Sequence, residues 1–71
     1  MEKAEIAKLQ AFLRKTLGAP SLELRPQPKR PEMAEVFIRG EFQATIYKVT
    51  EDGETEYQFQ MCILEDDLED M

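Results

Sequence analysis

The acidic residues are the first candidates for chemistry, because two carboxyls in different environments can act as general acid and base. Asp66 and Asp67 are adjacent near the C-terminus, and Glu51, Asp52 and Glu54 surround a turn motif. Neither group has the apolar surroundings that would separate the proton affinities of its members. We therefore expect both groups to be solvated surface charges, and we predict that the protein is not an enzyme.

The composition argues against metal and cofactor sites. The sequence has no histidine and one cysteine, so one chain cannot supply the four nitrogen and sulfur ligands of a structural zinc site. The C-terminal acids lack the alternating spacing of a calcium loop. The three glycines lie far apart and form no phosphate-binding loop. We expect no metal and no cofactor.

Cys62 is better interpreted as a small, half-buried apolar residue than as a nucleophile, because no cationic neighbour is visible near it. A lone cysteine excludes an internal disulfide and fits a reducing cytosol. The N-terminal residues lack the apolar run of a secretory signal. No stretch approaches the roughly 18 apolar residues of a membrane span. We predict a cytoplasmic protein with no membrane association.

The charge is concentrated at one end of the 71-residue chain. Nine basic and fifteen acidic residues give a net charge of −6. Five of the acids lie in residues 65–70, so the rest of the chain carries −6 plus 5, or −1. We predict a single domain over residues 1–64 and an acidic tail over residues 65–71.

The elements that must position any site begin with a helix over residues 3–17. Its apolar residues recur at helical spacing, at Ile6, Leu9, Leu13 and Leu17. Gly18 favours the left-handed conformation that ends a helix. At the other end, no residue before Lys3 offers a good side-chain cap. Alternating or apolar runs predict strands over residues 21–25, 33–39, 42–50 and 55–64. The proline-rich segment 26–32 favours an extended, partly polyproline-II connector.

The motif Asp52-Gly53 is typical of a two-residue hairpin turn. Placing Glu51 opposite Glu54 gives the pairs Lys48–Tyr57, Ile46–Phe59, Ala44–Met61 and Phe42–Ile63. All strongly apolar pairs then lie on one face, and a shift of one residue would destroy this sorting. We predict that this is the native register and that these pairs face the core.

The first hairpin turns at Gly40, and two loop lengths are compatible with the sequence. A two-residue loop places Phe37 opposite Phe42 on the core face, and Val36 and Ile38 on the other face. A three-residue loop places Val36 opposite Phe42 in the core and turns Phe37 outward. The sequence leaves both registers open.

These elements define an α+β fold: one N-terminal helix packed on a four-stranded antiparallel meander, in the order α-β-β-β-β, with an acidic C-terminal tail. No second helix covers the other face of the sheet, although Leu64 and Leu68 would let the tail form a helical turn over part of it. An uncovered apolar face is typical of a partner surface or a dimer interface. The residues predicted to form this surface are Val36, Ile38, Tyr47, Val49, Cys62 and Leu64, with Phe37 replacing Val36 and Ile38 in the three-residue-loop register.

We therefore expect a small non-catalytic protein-interaction module that acts through the open sheet face or an edge strand, with another protein or a second copy as partner. The alternative is a nucleic-acid or ribonucleoprotein accessory protein. Its phosphate contacts would be Arg25, Lys29, Arg30 and Arg39, the first three of which form a basic cluster around the proline-rich loop. A sequence pI of about 4.5 disfavours this alternative, because nucleic-acid binders usually carry a basic footprint.

The chain also resembles a small uncharacterised bacterial family, a domain of unknown function. The resemblance extends over nearly the whole chain, in the segments 4–14, 34–38, 41–42, 46–47, 51–54, 57–61 and 63–64. It implies a stand-alone cytoplasmic bacterial protein. The family has no assigned activity, so the resemblance assigns no functional residues.

Overall fold

The chain folds into one helix on one face of a four-stranded sheet, followed by a short second helix. The structure is a computed structural model that describes residues 1–69. The elements are α1 Lys3–Leu17, β1 Leu22–Pro26, β2 Met33–Ile38, β3 Glu41–Glu51, β4 Glu54–Met61 and α2 Glu65–Glu69. The strands are antiparallel in the order β1-β2-β3-β4. The predicted α+β meander is confirmed, and the acidic tail adds α2.

Helix α1 has the predicted bounds, and both of its ends are capped. Gly18 adopts the left-handed conformation with φ of 63°, and the Ala19 N–H donates to the Arg14 carbonyl at 3.0 Å. At the start of the helix, the Glu2 N–H donates to Oε1 of Glu5 at 3.3 Å. The prediction that this end of the helix has no good cap is wrong, because Glu5 reaches back to the chain before the helix.

The second hairpin has the predicted turn and register. Asp52 and Gly53 both have positive φ, 50° and 80°, as a tight two-residue turn requires. The predicted pairs from Glu51–Glu54 to Ala44–Met61 are all present. Strand β4 ends at Met61, so the predicted extension of this strand to residue 64 and the predicted Phe42–Ile63 pair are both wrong.

The first hairpin combines the two predicted registers through a β-bulge. Near the turn, Phe37 lies opposite Phe42, as a two-residue loop requires. One step further along, Val36 lies opposite Ala44, so Gln43 is an extra residue in β3. The bulge turns Val36 into the core and Phe37 to the other face of the sheet. The register with a three-residue loop predicted these two faces correctly.

The proline-rich segment is not extended as predicted but forms two consecutive turns. The Arg30 N–H donates to the Gln27 carbonyl at 3.1 Å, and the Met33 N–H donates to the Arg30 carbonyl at 3.0 Å. Pro28 and Pro31 each follow the first residue of a turn, where the fixed φ of proline is favoured.

The buried core lies between α1 and the first three strands. Its members are Leu13, Leu22, Leu24, Ala34, Val36, Ala44 and Ile46. Every residue of β4 is exposed. A helix about 10 Å wide covers roughly two strands spaced about 4.8 Å apart. One helix therefore cannot cover a four-stranded sheet, and the uncovered strand is β4.

Candidate functional site

The structure divides the predicted partner surface between the two faces of the sheet. Val36 is fully buried in the core, and Ile38 packs against the core from its margin. The prediction that these two residues lie on the open face is wrong, because the bulge at Gln43 rotates β2 relative to β3. Tyr47 and Val49 are half-buried. They lie on the face away from α1, because they alternate with the core residue Ile46.

The last two residues of the predicted surface lie outside the sheet. Cys62 and Leu64 follow the end of β4, and both are exposed, so the half-buried environment predicted for Cys62 is wrong. The Leu64 N–H donates to Oδ2 of Asp67 at 2.9 Å, which caps the start of α2. Leu64 and Leu68 are 59% and 63% exposed, so α2 does not bury them over the sheet as predicted.

Side chains of the sheet itself occupy much of the face away from α1. The Arg25 guanidinium lies 3.9 Å from the centre of the Phe37 ring, a favourable cation–π geometry. Phe37 also meets Phe42 edge to face, with ring centres 5.8 Å apart. Arg25 Nε is 3.3 Å from Oε1 of Glu23. The face is therefore a mixed polar and aromatic surface with internal contacts.

The predicted phosphate contacts do not form a single cluster. Arg25, Lys29 and Arg30 lie at one end of β1 and β2, in or beside the two turns. Arg39 lies in the β2–β3 turn, at the opposite end of β2. Arg25 is already engaged with Phe37 and Glu23.

An apolar groove lies between α1 and β4. It encloses about 300 Å³ and is lined by Leu9, Phe12, Leu13, Ile46, Tyr57 and Phe59. Phe12 is 62% exposed, Phe59 42% and Tyr57 38%. Met61, 47% exposed, lies on the same face of β4. The sequence register placed these β4 residues correctly on the core face, but α1 leaves that part of the face open.

One end of the groove carries a cluster of three polar side chains. Nζ of Lys48 lies 2.7 Å from Oε2 of Glu5, and the Tyr57 hydroxyl donates to the same oxygen. The hydrogen bonds from Lys48 and then Tyr57 lower the pKa of Glu5 from 4.5 to about 2. The hydrogen bond to Glu5 also raises the pKa of Lys48 and that of Tyr57.

Each shift moves the pKa further from neutrality, so Glu5 is ionised and Lys48 and Tyr57 are protonated at neutral pH. No member of the cluster is therefore poised to exchange a proton. The cluster instead ties the start of α1 to β3 and β4. This cluster is absent from the sequence predictions, although the sequence holds one signal for it: Lys48 falls on an otherwise apolar face and needs an anionic partner there.

Within residues 1–69, no three His, Cys, Asp or Glu side chains are placed to share a metal ion. No helix in the same range is long and apolar enough to span a bilayer.

A scan against family models matches residues 5–67 to the family described as protein of unknown function (DUF3126). The chain therefore belongs to this family, and the resemblance to an uncharacterised domain family is confirmed. No curated protein and no solved structure matches the chain. The family description states no activity, so the functional argument depends on the geometry of the groove and of β4.

Proposed function

We propose that the protein is a small non-catalytic interaction module whose binding surface is the α1–β4 groove together with the edge strand β4. The observation that carries this proposal is the exposure of Phe12, Tyr57 and Phe59 around one groove. With about 200 Å² for each aromatic side chain, they leave roughly 300 Å² of surface in water. A patch of this size is in the range of the largest patch on a typical monomer, which is often functional.

The polar cluster beside the groove supports a non-catalytic role. The low pKa of Glu5, about 2, leaves it unprotonated at neutral pH and hence unable to act as a general acid. Oε2 of Glu5 already accepts hydrogen bonds from Lys48 and Tyr57. We interpret the cluster as a structural tie that keeps the groove open at a fixed width.

We further propose that the module works in the cytoplasm of a bacterial cell. Cys62 is exposed, and the sequence holds no second cysteine to pair with it. An exposed thiol of this kind persists in a reducing compartment.

The nucleic-acid alternative now depends mainly on Lys29 and Arg30, because Arg25 is engaged and Arg39 lies at the other end of β2. No observation favours it over protein binding. An electrophoretic mobility assay with mixed DNA and RNA at low salt tests it. A tight, salt-sensitive shift that is lost on charge reversal of Lys29 and Arg30 would replace the protein-binding proposal.

Site-specific photo-crosslinking in the native cell tests the groove. We would introduce a photoreactive amino acid at Phe12, which lines the groove, and at Ala11, which is exposed on the adjacent position of α1. The two sites differ by about 100° around the helix. We expect protein crosslinks from position 12 that are several-fold stronger than those from position 11. Equal yields from the two positions, or no crosslink from position 12, would refute the proposal.

A further inference from the structure

The two edges of the sheet differ in how their backbone groups are satisfied. At the β1 edge, the Leu24 N–H donates to the Gln10 side chain at 3.0 Å, and the Leu22 carbonyl accepts from Nε of Arg14 at 2.7 Å. The Leu22 N–H donates to the Ala19 carbonyl at 3.1 Å. The helix and its connector therefore cover the β1 edge, one of the ways in which proteins block strand addition.

Residues 1–69 provide no such cover for the β4 edge. The Lys48 N–H donates to the Glu32 carbonyl at 2.8 Å, on the side of β3 away from β4. Since Tyr57 lies opposite Lys48, antiparallel alternation directs the backbone groups of Tyr57, Phe59 and Met61 away from β3. Within residues 1–69, no hydrogen bond to these backbone groups from outside the sheet is present.

The stretch of β4 from Tyr57 to Met61 also lacks the devices that protect an edge strand. Residues 57–61 contain no charge and no proline, whereas β1 carries Glu23, Arg25 and Pro26. The charges of β4, Glu54 and Glu56, both lie at its turn end. A parallel partner strand of the same sequence would place these acids side by side, and an antiparallel one separates them.

We propose that the occupant of this edge is β4 of a second copy of the chain, paired antiparallel about a two-fold axis at Phe59. This inference rests on the proposed function and deepens it by naming the partner. Phe59 is the centre of the uncharged stretch, so this register pairs uncharged residues throughout. It places Phe59 opposite its equivalent, Tyr57 opposite Met61, and Gln58 opposite Gln60. The two sheets become one sheet of eight strands.

The two grooves then lie side by side on the same face of that sheet. The exposed parts of Tyr57 and Phe59 supply about 160 Å² of side chain per copy, with about 200 Å² for each full aromatic side chain, and the exposed part of Met61 adds to them. The interface therefore belongs to the small, transient class, below about 1,200 Å². We therefore expect a weak dimer whose population rises with protein concentration.

A charge-swap experiment on Gln58 and Gln60 tests this register. Both side chains are exposed on the face away from the groove, so the substitutions leave the fold and the groove intact. One variant carries Gln58→Lys with Gln60→Lys, and the other carries Gln58→Glu with Gln60→Glu. Each homodimer then has like charges directly opposite, which weakens strand pairing, and a mixture of the two variants has opposite charges.

The measurement is sedimentation equilibrium of the full-length chain. For the unmodified chain we expect a mass that rises with concentration from 8.3 kDa towards twice that value. We expect each variant alone to dimerise at least tenfold more weakly, and the equimolar mixture to recover dimerisation as a heterodimer. A chain that stays monomeric at about 1 mM, or a dimer that neither variant weakens, would overturn the pairing.

The crosslinking test distinguishes the failure of this inference from failure of the proposed function. A monomeric chain whose position 12 still crosslinks to a different protein refutes the β4 pairing and leaves the interaction module standing. A monomeric chain with no crosslink from position 12 refutes both.

Discussion

The adjacent residues Phe12 and Leu13 provide a direct test of the open groove, because the structure gives them opposite environments on one helix. Leu13 is 9% exposed and is the one buried residue of α1, whereas Phe12 is 62% exposed. We predict that Leu13→Ala destabilises the protein by about 3 kcal/mol, the usual range for a buried leucine. A 71-residue domain has a total stability of roughly 4–10 kcal/mol, so this variant loses a large part of it.

Phe12→Ala has a much smaller predicted effect. Phe12 buries about 40% of its surface, or roughly 80 Å², for which 25 cal/mol/Å² gives an upper bound of about 2 kcal/mol. Alanine keeps its own Cβ contacts and has the higher helix propensity, by about 0.5 kcal/mol. We therefore expect a net loss below about 1 kcal/mol.

Urea unfolding followed by far-ultraviolet circular dichroism measures both free energies. The protein concentration should be a few micromolar, because a weak dimer is mostly dissociated there and does not add to the measured free energy of unfolding. The comparison is internal, because both substitutions end in alanine on the same helix. If Phe12→Ala costs as much as Leu13→Ala, then α1 packs against β4 in solution and the groove is closed.

Three further predictions concern the tie at the groove, a turn and the open sheet face. The pKa of Glu5 in the folded protein, about 2, lies below its usual 4.5. The contribution of Glu5 to the free energy of unfolding is therefore fully present above about pH 4.5 and is lost as the pH falls towards 2. After allowance for solvent screening we expect this contribution to be about 1 kcal/mol. Urea unfolding across this pH range should show the loss in the unmodified protein and not in Glu5→Gln. An identical pH profile in the variant would contradict the assignment. Gly53 has φ of 80°, a left-handed conformation that strains any residue with a Cβ atom. We therefore expect Gly53→Ala to destabilise the protein by about 1 kcal/mol in thermal unfolding. An unchanged melting temperature would refute the turn geometry. Arg25→Gln removes the cation–π contact with Phe37 and should cost about 0.5–1 kcal/mol in the same assay, whereas a neutral effect would show that the stacked geometry is not populated.

The features that the sequence predicted well are those with local chemical signals. Asp52 and Gly53 favour one turn type, and the apolar pairs beyond the turn are compatible with only one register. Helix α1 ends where Gly18 allows the left-handed conformation. In each case a few residues near in sequence determine the geometry.

The errors in the first hairpin and at the end of β4 follow from the bulge at Gln43, which has no comparable signal in the sequence. The bulge pairs Phe42 with Phe37 and turns Val36 inward. It also leaves β4 without a partner in β3 after Met61, because the next residues of β3 have left that register. Ile63 and Leu64 are apolar, so the sequence pattern predicts strand there, but these residues have no strand to pair with.

The position of the candidate surface depended on tertiary geometry rather than on sequence pattern. The sequence pattern correctly places Tyr57, Phe59 and Met61 on the core face, but no local signal indicates that α1 covers only β1 to β3. Gln10 and Arg14 draw the helix towards the β1 edge through their hydrogen bonds to Leu24 and Leu22. The same contacts that block one edge of the sheet thus leave the other edge and its groove open.

Residue-resolved amide hydrogen exchange at two protein concentrations measures directly whether the β4 edge binds a second copy. The amides of Tyr57, Phe59 and Met61 point to the free edge, whereas those of Gln58 and Gln60 point to β3. Between about 5 μM and 1 mM, values that bracket the expected weak dimer, we predict that protection rises at residues 57, 59 and 61 and stays constant at 58 and 60. Exchange at residues 57, 59 and 61 that is independent of concentration would contradict the proposal that the β4 edge binds a second copy.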